Sequence, residues 1–104
     1  MVTRGDVCWC ETPEAGRRPV LILTRATAVP VLRRVLVAPL TRTIRNLPTE
    51  VRLGEADGVP DECVISFDNL EQAYKESLSE PIASLSGPLE SSIARAIVFS
   101  AADG

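Results

Sequence analysis

At 104 residues the chain is long enough for one domain and too short to hold a cofactor domain beside a substrate domain. Its apolar fraction of 45% suits a packed core, and its three cysteines, Cys8, Cys10 and Cys63, form an odd set whose spacing matches no disulfide framework. The formal charge of −3 is unevenly spread: residues 1–52 carry nine arginines against four carboxylates, +5, and residues 53–104 carry two basic against ten acidic side chains, −8. Every basic residue of the first half is arginine, which grips phosphate through a planar fork and keeps its proton. An acidic balance therefore leaves room for a local nucleic-acid surface. No apolar run approaches the ~18 residues of a membrane span, and Met1–Asp6 lacks the apolar core of a signal peptide. The expectation is a cytoplasmic protein with reduced thiols and no membrane contact.

In chain order, Val7–Cys10 reads as a short strand with Val7 and Trp9 on one face and Cys8 and Cys10 on the other. With no histidine in the chain and only one further cysteine, these thiols read as core packing, and no metal or other cofactor is expected. Thr12–Gly16 is a loop closed by Arg17 and Arg18, and Pro19 starts a second strand, Val20–Leu23. Thr24–Arg34 connects, with one turn of helix at most because Pro30 interrupts it. Val35–Pro39 is a buried central strand that ends in a polar cluster, Thr41, Arg42, Thr43 and Arg45, running on to Pro48. Thr49–Leu53 alternates, which turns Val51 and Leu53 inward. Gly54–Pro60 is an acidic turn, and Cys63–Phe67 is a further strand with Asp68 and Asn69 at its end, as a cap or as part of a site.

Leu70–Ser79 is polar and irregular, and Glu80–Leu85 suits a short edge strand. Ser86-Gly87-Pro88 opens a helix whose Leu89, Ile93, Ala96 and Ile97 make one apolar stripe. The fold expected is mainly β: a small, partly open barrel of five to six strands with a C-terminal α-helix, one domain over residues 1–104.

Four blocks of residues carry a resemblance. Arg4-Gly5-Asp6-Val7, Arg17-Arg18-Pro19-Val20-Leu21-Ile22-Leu23, Val37-Ala38-Pro39-Leu40-Thr41 and Asp61-Glu62-Cys63-Val64-Ile65 with Asp68-Asn69 together resemble the MazF/PemK toxins of bacterial toxin–antitoxin modules, in the family's order and spacing. The resemblance implies an SH3-like barrel, a homodimer, a cognate MazE-like antitoxin whose disordered tail blocks the RNA groove, and metal-independent, sequence-specific cleavage of single-stranded RNA. It also implies that Arg18 and Thr41 are the catalytic pair. Asp68 is one candidate base and Glu14 the other; where some relatives carry an arginine two residues before the aspartate, this chain has Ser66. The first loop is shorter than in many members of the family.

The chemistry agrees with that pair. A ribonuclease without metal or histidine uses the RNA's own 2′-hydroxyl as nucleophile and must stabilise the charge that builds on the phosphoryl oxygens. Arg18 supplies a fork for that anion, and Thr41 a hydroxyl donor. With Trp9, Phe67, Tyr74 and Phe99 the only aromatics, base recognition is expected to lean on polar groups, so Arg17, Pro39, Arg42, Thr43, Arg45 and Asn69 are the RNA-binding candidates. The alternative is a non-enzymatic toxin of the same fold that binds a protein such as DNA gyrase, as CcdB-like toxins do, through its C-terminal helix.

Overall fold

The structure is a computed structural model that describes residues 2–14, 16–59, 61–85 and 95. Seven strands follow one another: β1 (Asp6–Thr12), β2 (Gly16–Ile22), β3 (Arg34–Thr41), β4 (Glu50–Leu53), β5 (Cys63–Ser66), β6 (Glu71–Tyr74) and β7 (Leu78–Ser84). All pairs are antiparallel, in the order β4-β5-β3-β2-β1-β7, with β6 as a further partner of β3. The result is a curled sheet, a half-barrel with single-turn 3₁₀ segments at Val29–Val31, Glu55–Asp57 and Lys75–Ser77. The first of these is the one helical turn expected before the central strand, with Pro30 inside it.

Two apolar clusters explain the continuous runs in the middle of the chain. Val7, Leu21, Ala38, Leu40, Val51, Leu53, Ile65 and Phe67 pack in one cluster, while Cys8, Cys10, Val20, Ile22, Val35, Val37 and Ala73 pack in the other. Strands covered on both faces lose the alternation of a half-exposed sheet and read as unbroken apolar stretches, as Val20–Ile22 does. The central strand, expected to be buried throughout, is covered at Val35, Val37 and Ala38 but leaves Leu36 39% exposed on the opposite parity to Val35 and Val37. All three thiols are buried and unbridged. Burial, chiefly, pushes Cys8 up to about 11 and raises Cys10 and Cys63 as well, so each stays protonated at neutral pH and acts as a small apolar side chain.

Three expectations need correction. Among the described residues the strand count is seven rather than five or six, because Glu71–Tyr74, expected to be irregular, forms β6; pairing with β3 and burial of Ala73 override the weak strand propensity of Glu-Gln-Ala. The first two strands reach further into their hairpin than expected, with Thr12 paired to Gly16, so Arg17 and Arg18 are strand residues rather than the end of a loop. The expected edge strand begins earlier, at Leu78, and joins β1. The C-terminal helix lies outside the described residues. Among the described residues, no helix is long and apolar enough to cross a membrane.

β3 organises the sheet. Along one edge it pairs with β2 from Val37 to Pro39. Along the other it pairs with β6 from Arg34 to Val37 and with β5 only at Leu40 and Thr41. Ala38 and Pro39 sit at the change of partner, where Pro39 has no N–H to leave unpaired. The turn that links β5 to β6 crosses this split and brings Asp68 and Asn69 beside the end of β3.

At the far end of the barrel, Gly58 takes a left-handed φ of +90°, and a Cβ there would come within 3.1 Å of Ala83 Cβ. Gly58→Ala is expected to lower the unfolding free energy by about 1–3 kcal/mol, read in urea titrations. A variant as stable as the parent would contradict this account of the turn.

Candidate active site

An open cleft of about 720 Å³ lies over the β3 split, lined by Arg18 from β2, Pro39 and Thr41 from β3, Thr43 and Arg45 from the following loop, and Ser66 to Glu71 from the end of β5 and the turn into β6, Phe67 excepted. Three sequence-distant segments therefore meet here, and each arrives for a local reason. Arg18 stands opposite Cys10 in the first hairpin, half-buried with its guanidinium toward β6. Thr41 is the last residue of the apolar β3 run. Asp68 and Asn69 occupy the turn forced by the passage from β5 to β6.

Arg18 does not stand alone. Its Nη2 donates to Glu71 Oε1 at 2.5 Å, and both side chains are about a third exposed, 33% and 38%. That hydrogen bond raises the arginine's already high pKa, against the opposing pull of burial, so it is charged at any relevant pH. Its Nε is buried with no acceptor among the described residues. One edge of the fork is thus committed to a carboxylate while another donor lacks a partner, a state that an incoming phosphoryl oxygen improves.

Thr41 Oγ1 accepts the Thr43 N–H at 3.2 Å, which leaves its own O–H to donate. Asp68, exposed, accepts from the Thr49 hydroxyl through Oδ2 at 2.5 Å. Asn69 Nδ2 donates to Ser66 Oγ at 2.8 Å, which fixes the amide plane at the cleft wall. Both residues sit in the turn between β5 and β6 and line the cleft, with their side chains bonded to the side chains of Thr49 and Ser66. Glu14, the other candidate base, lies in an adjoining cavity of about 320 Å³ that shares Arg18 and Glu71 with the cleft.

The sequence profile of the PemK-like, MazF-like toxin of type II toxin-antitoxin systems matches residues 3–100. The chain belongs to this toxin family. It is 51% identical over 69 residues to a protein named probable endoribonuclease MazF5 of Mycobacterium tuberculosis, covering 65% of this chain and 63% of that relative. The chain thus spans under two thirds of that protein's length. With probable endoribonuclease MazF2 of the same species the identity is 38% over 84 residues, 80% of this chain and 81% of the relative. The solved structure of Mycobacterium tuberculosis toxin MazF-mt6 superposes with a TM-score of 0.87 at 34% identity, covering 93% of this chain and 96% of that one. These names go with the nuclease reading of the PemK/MazF-like fold rather than with the gyrase-directed one.

Within this PemK/MazF-like framework the residues singled out from sequence divide in two. Arg18, Pro39, Thr41, Thr43, Arg45, Asp68 and Asn69 share the cleft. Arg17 and Arg42 do not. Arg17 follows Gly16 in the strand, so alternation sends it to the face opposite Arg18, where its guanidinium lies 4.6 Å over the Trp9 ring. Arg42, just past the end of β3, pairs with Asp61 at 2.9 Å, and both residues line a separate cavity of about 350 Å³ with Trp9, Arg17 and Ile82. Sequence reasoning missed Glu71, which sits in a stretch with no strand signal, and it gave no role to Thr49 or Glu50.

Proposed function

We propose that this chain is the toxin of a toxin–antitoxin module and a metal-independent endoribonuclease that cuts single-stranded RNA at preferred sequences. The observation that carries the reading is the meeting of Arg18 and Thr41, from different strands, in one open cleft with Asp68 on its rim. In this reading the scissile phosphate lies against Arg18, whose fork takes a non-bridging oxygen, and the Thr41 O–H donates to the same anion as negative charge builds. The RNA 2′-hydroxyl attacks phosphorus while its proton passes to Asp68, which lines the same cleft. The P–O5′ bond breaks, leaving a 2′,3′-cyclic phosphate and a 5′-oxyanion that takes a proton from solvent in the open cleft to become the 5′-hydroxyl. An arginine is a poor proton donor, so Arg18 serves the leaving oxygen through charge and hydrogen bonding.

Arg45, Thr43, Pro39 and Asn69 line the path of the bases in this reading, and the SH3-like barrel is completed by the C-terminal helix over a single domain, residues 1–104. The working unit is a homodimer in the cytoplasm, held in check by a cognate MazE-like antitoxin, the partner that a type II system supplies.

The test is cleavage of a single-stranded RNA pool in EDTA with mapping of both new ends. The expected result is 5′-hydroxyl ends joined to no adaptor until phosphorylated, and a loss of about 10²-fold in rate for Thr41→Val, the cost of one removed oxyanion donor. Dependence on added metal, or 5′-phosphate ends, would end this reading. Asp68→Asn and Glu14→Gln then separate the two carboxylates: the base is the one whose loss removes the acid limb of the pH–rate profile.

A further inference from the structure

Two adjacent residues at the start of β4, neither of them in the cleft, hold both of its charged rims. Thr49 is 4% exposed, and the Glu50 side chain is 3% exposed. Side chains this deep seldom stay polar without a task, because an ionised carboxylate withdrawn from water must be compensated by nearby donors. Glu50 finds them in the recognition loop: Oε1 accepts the backbone N–H of Arg45 at 3.0 Å and of Leu47 at 3.4 Å. Its Oε2 has no hydrogen-bond partner among the described residues and faces Arg45 Nε at 3.7 Å. The backbone N–H of Glu50 in turn donates to Leu47 at 3.0 Å, which closes the loop on itself. Thr49 does the same for the opposite rim. Its hydroxyl donates to Asp68, and its carbonyl accepts the Phe67 N–H at 3.0 Å, so one residue fixes the backbone and the side chain of the β5–β6 turn.

We propose that Glu50 and Thr49 are positioning residues with separable tasks: Glu50 sets the base preference of the cleft by aiming Arg45, and Thr49 sets its rate by orienting Asp68. The proposal rests on the reading that this cleft binds single-stranded RNA. Arg45 offers donors only, and with its backbone tied to Glu50 and its Nε drawn toward the same carboxylate, its half-exposed fork is left to meet a base edge with two adjacent acceptors, the O6 and N7 edge of guanine above all. An arginine on a loose loop would spread over phosphates and bases alike and read neither. Asp68, with Oδ2 committed to Thr49, presents Oδ1 in one direction, which is what transfer of a proton at hydrogen-bond distance needs.

The experiment compares cleavage of a randomised single-stranded RNA pool by the full chain and three variants, with cut sites sequenced and steady-state constants measured on the preferred site. Glu50→Gln keeps an acceptor for the two loop N–H groups and places an amide against Arg45 Nε. The ratio of preferred to next-preferred base is expected to fall at least fivefold at a single position. Arg45→Gln is expected to relax that same position and no other. Thr49→Val matches the shape but removes the hydroxyl, and is expected to lower kcat about tenfold with KM and the sequence profile retained. If Glu50→Gln does not fold, Glu50→Asp, which retracts the carboxylate by one methylene, is read in its place. A Glu50 variant with the parent profile, or relaxed at a position that Arg45→Gln leaves intact, overturns the first task. A Thr49→Val loss confined to KM overturns the second. Failure of the parent chain to cut the pool is a different outcome and removes the ribonuclease reading itself.

Discussion

Arg18→Ala is expected to lower the single-turnover rate of RNA cleavage by about 10²–10³-fold, the range seen when one group stabilising an oxyanion is deleted. In the proposed mechanism the side chain does more than attract RNA. Its guanidinium reaches the cleft from a strand whose backbone is paired with Cys10 of β1 at this position and with β3 from Val20 onward, so a rigid element carries it to the cleft wall. Arg18→Lys keeps the charge but replaces the planar fork with a mobile point donor, and should recover no more than a tenth of the lost rate. Deleting Arg18 also strands Glu71, whose carboxylate would then face the phosphate without its cation. RNA binding should therefore weaken together with the rate. Arg18→Ala combined with Glu71→Gln separates the two effects: in filter binding the double variant regains affinity, and in cleavage it stays as slow as Arg18→Ala. A double variant that recovers cleavage would show that Arg18 serves only to neutralise Glu71, and the catalytic assignment would fall.

How much of this was legible in the sequence follows from which interactions are local. The run Val35-Leu36-Val37-Ala38-Pro39 reads as a central strand because Val35, Val37 and Ala38 report burial directly, although Leu36 between them is exposed, and proline marks where pairing on one edge lapses. Thr41 and Asp68 could be placed near strand ends for the same reason. The pairing that completes the site is not local: Glu71 lies 53 residues from Arg18 in the chain, and nothing in Leu70-Glu71-Gln72-Ala73 signals a strand until β3 is there to pair with it. The separation of Arg17 from Arg18 was within reach of the sequence, since consecutive strand residues face opposite ways. It needed the strand to begin at Gly16 rather than Pro19, and strand starts are where turn chemistry competes most evenly with pairing. Thr49 shares the parity of Val51 and Leu53, which points it inward. Glu50 has the outward parity, and only the fold of the Arg42–Pro48 loop over it makes it buried.

Glu71→Gln alone is expected to tighten RNA binding by about five- to tenfold at low salt, with the advantage shrinking as salt rises. On the proposed reading the carboxylate competes with phosphate for the same guanidinium, and it also repels each phosphate that enters the cleft. Because the pair is a third exposed, solvent screens it, and the net change is about 1 kcal/mol rather than the larger figure a buried pair would give. The neutral amide still accepts from Arg18 through its carbonyl, so the guanidinium keeps an anchor while one unfavourable charge leaves the groove. For cleavage the sign is less uniform than for binding. Tighter ground-state binding lowers KM, whereas kcat rises only if the bond to Glu71 must be broken to reach the transition state. The geometry favours that second case: the Nη2 contact with Glu71 uses one edge of the fork while Nε is left without an acceptor, so a phosphoryl oxygen that satisfies Nε does so at the expense of the present rotamer. Glu71→Gln should then raise kcat as well as lower KM. A fall in kcat would mean instead that the carboxylate holds Arg18 in its working position, and unchanged binding across a salt series would remove Glu71 from the RNA path.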